Sequence, residues 1–177
     1  KSIEGRHYAE VAQASGKDAL VMTAHIGKWA RAAAYSSSQG FPLTVVQRDA
    51  NDEALNEIMS DLRRASGVEI LSRGNAGIGI LRALRSGKLV AILADQNASE
   101  CFIDFFGLKT GSVLGPALLS QKSGSPMIPN YCIRTGPNEY RIIVHEPIWP
   151  TGKDHESAAQ MMEKLNASLE SIIREYP

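Results

Sequence analysis

Two short polar clusters carry the side chains that are best suited to chemistry. Segment 23–29 contains His25 beside a Gly turn and closes the apolar run 19–24, and segment 95–97 (Asp-Gln-Asn) follows the apolar run 89–94. In open α/β sheets, functional groups collect beyond the carboxyl ends of the strands. An imidazole at such a place can be a general base, a metal ligand or a structural cap. The other histidines have no Cys or His neighbour at metal-ligand spacing, so the pattern does not favour a metal site.

The rest of the chain must supply the scaffold for these clusters, and it alternates strand-like and helical patterns. Continuous apolar runs such as 19–24 and 89–94 are typical of strands buried on both faces. We predict an α/β fold with a mixed, mainly parallel central sheet, helices on both faces and antiparallel pairing near the end. Further strands are predicted at 43–47, 68–71, 127–134 and 140–146, helices at 28–38, 51–66, 76–85, 112–122 and 154–176, and a loop at the aromatic segment 101–107.

The composition narrows the class of protein. A chain of 177 residues with 44% hydrophobic and 21% charged residues fits one globular domain and excludes a mainly disordered or fibrous protein. Lys and Arg number 19, as do Asp and Glu, so the net charge gives no sign of nucleic-acid binding. Two cysteines favour reduced thiols in the cytosol over a disulfide scaffold. We expect residues 1–177 to be a single domain, and an ordered piece of a longer membrane-anchored chain.

Four motifs in a fixed order point to a family. They are HIGKW at 25–29, Arg63 four residues before a Gly, LADQ at 93–96, and FFG at 105–107 with Thr110 soon after. Together they resemble the late acyltransferases of lipid A biosynthesis, the lauroyl and myristoyl transferases of the lysophospholipid acyltransferase superfamily. The resemblance implies a glycerolipid-acyltransferase-like fold. The related glycerolipid branch has a Pro-Glu-Gly-Thr motif, and here Asp95-Gln96 stands instead.

The resemblance also implies an activity and a location. The donor would be a fatty-acyl thioester on acyl carrier protein, and the acceptor a hydroxyl of a lipid A precursor. No metal or redox cofactor is implied. The reaction would belong to lipopolysaccharide biosynthesis at the cytoplasmic face of the inner membrane of a Gram-negative bacterium, with the anchor outside this fragment. The acyl chain length and the position acylated stay open.

One position departs from the family pattern. The family has His, four residues, then Asp or Glu, but the fifth residue after His25 is Ala30. Acyl transfer needs a base that deprotonates the acceptor hydroxyl, and a carboxylate on the other ring nitrogen fixes the tautomer of that base. We expect His25 on the strand-to-helix turn, with residue 30 facing it from the helix. Ala30 cannot orient a ring, so this chain is expected to be inactive or weakened.

Two origins of Ala30 stay open, and each favours a different function. A deliberate replacement that traps an inactive enzyme is favoured, because every other motif is intact. A natural loss would instead favour a non-catalytic lipid-binding or partner-binding homologue. In the first case, replacing Ala30 by Glu should raise the activity.

Further residues are candidates for substrate binding, and of these Arg63 and Asp95-Gln96 match positions of the family pattern. Arg63 would contact an anionic group of the donor or acceptor, and Asp95, with Gln96 beside it, would hold Arg63 or a backbone amide. Lys28 would face phosphates of the acceptor or the acidic carrier protein. For each of these side chains, a solvated charge or a loop cap is the structural alternative. The aromatic residues of segment 102–106 would line an acyl-chain groove, or else belong to the core.

Overall fold

The strands that carry the two polar clusters lie side by side in one sheet. The computed structural model describes residues 2–14, 18–41, 43–47, 68–72 and 76–177. Arg63 and the helix predicted at 51–66 lie outside the described residues. The strands are β1 (Ser2–Glu4), β2 (Leu20–Thr23), β3 (Leu43–Gln47), β4 (Glu69–Ser72), β5 (Leu89–Leu93), β6 (Cys101–Phe105), β7 (Leu108–Ser112), β8 (Met127–Gly136) and β9 (Glu139–Val144).

The main sheet contains seven strands in the order β1-β9-β8-β2-β5-β3-β4. Strand β2 lies at its centre and pairs in parallel with β5 on one side and β8 on the other. In the part of the chain that the structure describes, β8 and β9 form the one antiparallel pair of this sheet. The predicted mixed, mainly parallel sheet is therefore confirmed.

Helices cover both faces of this sheet. Successive residues of the central strand alternate between the faces: Leu20 and Met22 are buried with Met161 in one cluster, whereas Val21 packs against another that contains Ala33. This double burial explains why segment 19–24 is apolar throughout. The helices are α1 (Arg6–Ala14), α2 (Trp29–Ser38), α3 (Ala76–Arg85), α4 (Gly115–Ser123) and α5 (His155–Glu175).

The long helix α5 matches its predicted extent closely. Asp154 caps it by accepting a hydrogen bond from the Ser157 backbone N–H at 2.8 Å. The hydrogen bonds from Ser157 hold the pKa of the Asp154 carboxyl below its usual value. Throughout the described ranges, no helix has both the length and the apolar character that crossing a membrane requires.

The prediction of a loop at 101–107 is wrong. Strands β6 and β7 form a separate antiparallel hairpin, with Phe105 opposite Leu108. The end of β7 also includes Ser112, so the helix predicted from that residue begins three residues later, at Gly115. The elements β1 and α1 at the start of the chain were not predicted.

Candidate active site

The parallel register of β2 and β5 brings the two polar clusters together. Thr23 lies opposite Leu93 at the carboxyl ends of the two strands, and the Ala94 N–H donates to the Thr23 carbonyl at 3.2 Å. His25 and Asp95 each follow two residues after this pair. Two side chains that are 70 residues apart in the chain therefore meet at one edge of the sheet.

His25 and Asp95 make two contacts. The ring Nδ1 of His25 lies 2.8 Å from Asp95 Oδ1, and the His25 backbone N–H donates to Asp95 Oδ2 at 2.7 Å. Because a carboxylate accepts hydrogen bonds, the first contact favours the tautomer with hydrogen on Nδ1. The Asp95 side chain is 20% exposed and that of His25 is 51% exposed. The pair is thus fixed on the Nδ1 side of the ring and open to an approaching molecule.

Gly27 makes the turn between His25 and α2 possible. It has a φ of +59°, and a Cβ there would lie 1.8 Å from the Cys132 carbonyl oxygen of β8. The next residue, Lys28, donates its backbone N–H to the same carbonyl at 3.3 Å. Only glycine fits a left-handed conformation with backbone this close. The turn is therefore held to β8, the neighbour of β2 on the other side from β5.

Three other predicted site residues, Lys28, Ala30 and Gln96, follow the same two strands, whereas Arg63 lies outside the described residues. Ala30 is the second residue of α2 and is exposed, and the first turn of that helix has no acidic residue. Lys28 and Gln96 are also exposed. Asp95, which was expected to hold Arg63 or a backbone amide, accepts from the backbone amide of His25. Whether position 30 faces His25 stays a prediction.

Segment 95–100, which carries Asp95, is anchored to β7 and to the residue before α4. The backbone N–H of that residue, Leu114, donates to Glu100 Oε2 at 2.7 Å. Gly111 of β7 lies so close that a Cβ there would be 2.2 Å from the Ala98 carbonyl oxygen. These contacts restrict the loop that presents the carboxylate.

A buried polar network lies behind Asp95, and the sequence analysis missed it. Tyr131 on β8 is 1% exposed, and its hydroxyl lies 3.2 Å from Ser168 Oγ, which in turn lies 2.8 Å from His145 Nδ1. Burial, with a smaller effect from the Asp95 carboxylate, raises the pKa of Tyr131 to about 12. Burial also lowers the pKa of His145. Tyr131 stands in a mainly apolar strand segment that is buried almost throughout, so no local signal separates it from plain packing.

An apolar cavity opens between the sheet and the helices α1 and α2. It has about 740 Å³ of empty space, including its mouth, and extends from Thr23 and Trp29 to Phe41. Ala32 and Ala33 of α2 also line it. Only about 60 Å³ of this space admits a water-sized sphere, so the cavity is a narrow apolar slot.

The fold and the site together define an α/β domain with a half-exposed histidine, oriented by a carboxylate, at the carboxyl edge of a mainly parallel sheet. Across the described ranges, no three His, Cys, Asp or Glu side chains come together as a metal-binding group. The chain belongs to the bacterial lipid A biosynthesis acyltransferase family, whose sequence profile matches residues 1–177.

Individual relatives agree with this assignment. A lipid A biosynthesis acyltransferase of Haemophilus influenzae is 28% identical over 181 residues, which is 98% of this chain and 54% of the relative. A phosphatidylinositol mannoside acyltransferase of Mycobacterium tuberculosis is 26% identical over 136 residues, which is 73% of this chain and 43% of the relative. The corresponding protein of Mycolicibacterium smegmatis is 24% identical over 124 residues, or 67% of this chain and 41% of the relative. The chain thus spans about half the length of the curated relatives it matches.

Proposed function

We propose that this protein transfers a fatty acyl group from acyl carrier protein to a hydroxyl of a lipid A precursor, with His25 as the general base. The observation that carries the proposal is the contact between His25 and Asp95, in a chain of this acyltransferase family. Acyl transfer to an alcohol needs a base that is held in one tautomer and is open to the acceptor. A histidine that is half exposed, with Nδ1 on a carboxylate, meets both requirements.

The chemistry follows from the free side of the ring. The Nε2 atom of His25 accepts the proton of the acceptor hydroxyl as its oxygen attacks the thioester carbonyl carbon. The C–O bond forms, the C–S bond then breaks, and the thiolate leaves with the proton that Nε2 returns. Asp95 stabilises the imidazolium while it carries that proton, as the acid does in a serine hydrolase triad. Asp95 is thus a positioning residue in this proposal.

Asp95 also changes how Ala30 is interpreted. The expected loss of activity was based on the absence of an acid at position 30 that could orient His25. Asp95 already occupies Nδ1 of the ring, so an orienting acid is available without position 30. We propose that the chain is catalytically competent, and that Ala30 weakens it at most modestly.

The acceptor lipid is less closely defined than the acyl donor. The relatives are named for lipid A biosynthesis and for phosphatidylinositol mannoside acylation, and both names describe lipids with sugar or sugar-like head groups. Lys28 is exposed at the start of α2, where an ammonium group can meet a phosphate of the acceptor. We place the reaction at the cytoplasmic face of the inner membrane of a Gram-negative bacterium, with the anchor outside residues 1–177.

The apolar cavity suits the acyl chain. Its walls are mainly apolar, and they include Thr23, two residues before His25. A saturated chain needs an apolar slot without polar partners, because burying its methylene groups supplies the binding free energy at about 0.8 kcal/mol each. We propose that the transferred chain enters this narrow slot as its walls move apart, while the thioester remains at the sheet edge.

The test is a transfer assay with the full-length protein. Radiolabelled lauroyl acyl carrier protein is mixed with a lipid A precursor in detergent, and the product is separated by thin-layer chromatography. The protein should form the acylated lipid, and His25→Ala should lose at least about 100-fold in rate. If the protein binds the lipid but neither form transfers label, the chain is a lipid-binding homologue and the proposal is wrong.

A further inference from the structure

The β6–β7 hairpin carries an unusual share of the exposed apolar surface. Six large hydrophobic side chains are exposed among the described residues, and three of them belong to this hairpin. They are Phe102 at 60%, Phe106 at 40% and Leu108 at 70% exposure, and we call them the hairpin surface. Phe106 and Leu108 lie at the tip, and Phe102 lies on the opposite face of the hairpin from Leu108, so exposed apolar groups are present on both faces of the hairpin. Such a concentration of exposed apolar side chains on one element indicates a place of interaction.

The tip of the hairpin holds an aromatic ring in a costly backbone conformation. Phe106 has a φ of +53° and Gly107 a φ of +77°, in the two-residue turn between Phe105 and Leu108. Such turns normally place Asn or Gly at the first position, and a bulky residue there is an outlier. Strain of this kind persists where the surroundings enforce it, and it is often tied to function.

The surroundings of Phe106 do enforce this conformation. Its backbone N–H donates to Glu170 Oε1 at 2.7 Å, and the Gly107 N–H donates to Asp104 Oδ1 at 2.9 Å. The guanidinium of Arg174 lies 4.7 Å from the centre of the Phe106 ring and forms an ion pair with Glu170 at 2.8 Å. The backbone of the tip is therefore held by side chains of α5 and β6, while the aromatic ring contacts Arg174 and remains 40% exposed.

Cations accompany the aromatic rings of this surface. Lys109 Nζ lies 5.6 Å from the centre of the Phe102 ring, and the Arg174 guanidinium lies 4.7 Å from that of Phe106. Asp104 lies opposite Lys109 on the hairpin, and Glu170 pairs with Arg174, so the net charge of the surface is close to zero. Apolar insertion must then supply most of the attraction, with the two cations placed to contact lipid phosphates.

The hairpin is also fixed relative to the candidate active site. Phe105, the residue before the tip, packs on its inner side in a cluster that contains Ala24 and Tyr131. Ala24 directly precedes His25, and segment 95–100 connects Asp95 to β6. A surface that docks through the hairpin would therefore lie beside the His25–Asp95 edge.

We propose that the hairpin surface inserts into the interface of a phospholipid bilayer and holds the His25–Asp95 edge against the membrane that contains the acceptor. This inference rests on the proposed function in one respect, that the acceptor is a lipid in a bilayer. The apolar tip, its rigid support and the adjacent cations are the features by which a protein surface binds a membrane interface without crossing it.

The first experiment compares two formats of the transfer assay with the full-length protein. The acceptor is presented in vesicles of 30% phosphatidylglycerol and 70% phosphatidylcholine, or in detergent micelles. The test variant is Phe102→Ser/Phe106→Asn/Leu108→Ser, in which Asn suits the positive φ of the turn. The control Val11→Ser/Ile78→Ser/Trp149→Ser removes three exposed hydrophobic side chains elsewhere. The hairpin variant should lower the vesicle-to-micelle rate ratio about tenfold, and the control should not.

Other results of this experiment would overturn the proposal. An equal loss of rate in vesicles and micelles would place these side chains in the substrate groove. A loss that appears as a raised KM for acyl carrier protein would make the hairpin a protein-docking surface. An unchanged ratio would show that it contacts no membrane.

A second measurement does not depend on catalysis, so it separates this proposal from the proposed function. Phe106→Trp and Ile78→Trp each add one tryptophan to the two natural ones. Vesicles of the same composition that contain brominated phosphatidylcholine should quench the added emission of Phe106→Trp and not that of Ile78→Trp. Equal quenching in both variants would overturn the docking proposal even if transfer is observed. Selective quenching without transfer would retain it and reject the enzyme.

Discussion

Both carboxylate oxygens of Asp95 are used on one residue, His25: one meets the ring Nδ1 and the other accepts from the backbone N–H. A single side chain thereby sets the orientation of the imidazole and the position of its backbone. This dual contact explains how the ring can stay half exposed without losing its orientation.

Replacing Asp95 by Asn should slow acyl transfer sharply. An amide of the same shape can present its NH₂ group to Nδ1, which favours the wrong tautomer, and it cannot stabilise an imidazolium. In the serine proteases the corresponding change costs roughly 10⁴ in rate; here we expect a loss of about 10² to 10⁴ in kcat. Steady-state kinetics with acyl carrier protein substrates measure this loss. An unchanged kcat would remove Asp95 from the mechanism.

Replacing Ala30 by Glu should change the rate by less than about tenfold. The reason is that Nδ1 of His25 already has a carboxylate partner. If the ring had no orienting acid, supplying one would raise the rate by up to roughly 10⁴-fold. The same assay, run on Ala30→Glu and on Ala30→Glu/His25→Ala, decides between these values. A rise of several thousand-fold that is lost in the double variant would show that position 30 is the orienting site.

Gly27→Ala should destabilise the protein through one close contact. The new methyl group would meet the Cys132 carbonyl oxygen at 1.8 Å, in addition to the cost of a positive φ. We expect a loss of roughly 2–4 kcal/mol in the free energy of unfolding, measured by urea denaturation. Gly40→Ala is the control, because Gly40 has a φ of +85° and no atom within 4 Å of the added Cβ. Similar losses in both variants would show that the Cys132 contact matters little.

Tyr131 should be visible as a late step in an alkaline titration. Five tyrosines are present, and burial raises the pKa of Tyr131 to about 12. Because the unfolded chain loses this proton near pH 10, the group's contribution to stability falls by about 1.4 kcal/mol per pH unit from there up to its folded pKa. Absorbance at ~295 nm should show the late step, and Tyr131→Phe should remove it. A titration that is identical in the variant would contradict the burial of this phenol.

Filling the apolar cavity should change the preferred acyl chain. Ala33 lines the cavity and is 8% exposed, so Ala33→Leu would shorten the available space. The ratio of decanoyl to myristoyl transfer should rise roughly tenfold, since differences of a few methylene groups in an apolar pocket are worth about 1–3 kcal/mol. Ala34→Leu, on the same helix but outside the cavity lining, should leave the ratio unchanged. Equal ratios in both variants would place the acyl chain elsewhere.

Patterns of local sequence predicted most of the fold, and contacts between distant segments explain what they missed. The apolar stripe of α5 repeats with the period of a helix, and the apolar runs of β2 and β5 have the length of buried strands. The β6–β7 hairpin escaped prediction because its turn places Phe106 where Asn or Gly is usual. The contact between His25 and Asp95 depends on strand register, which sequence composition does not reveal. Knowing that Thr23 pairs with Leu93 would be enough to predict this contact, because His25 and Asp95 each follow two residues later.

The pairing of Thr23 with Leu93 also makes the site sensitive to chain length. A strand advances by about 3.3 Å per residue and turns successive side chains to opposite faces. Deleting or inserting one residue in β2 or β5 would therefore separate the histidine from its carboxylate and turn one of them away, even if the sheet itself survived. Natural insertions and deletions in this domain should consequently accumulate in segments such as the β8–β9 turn. The number of residues from each strand to its polar cluster should stay constant.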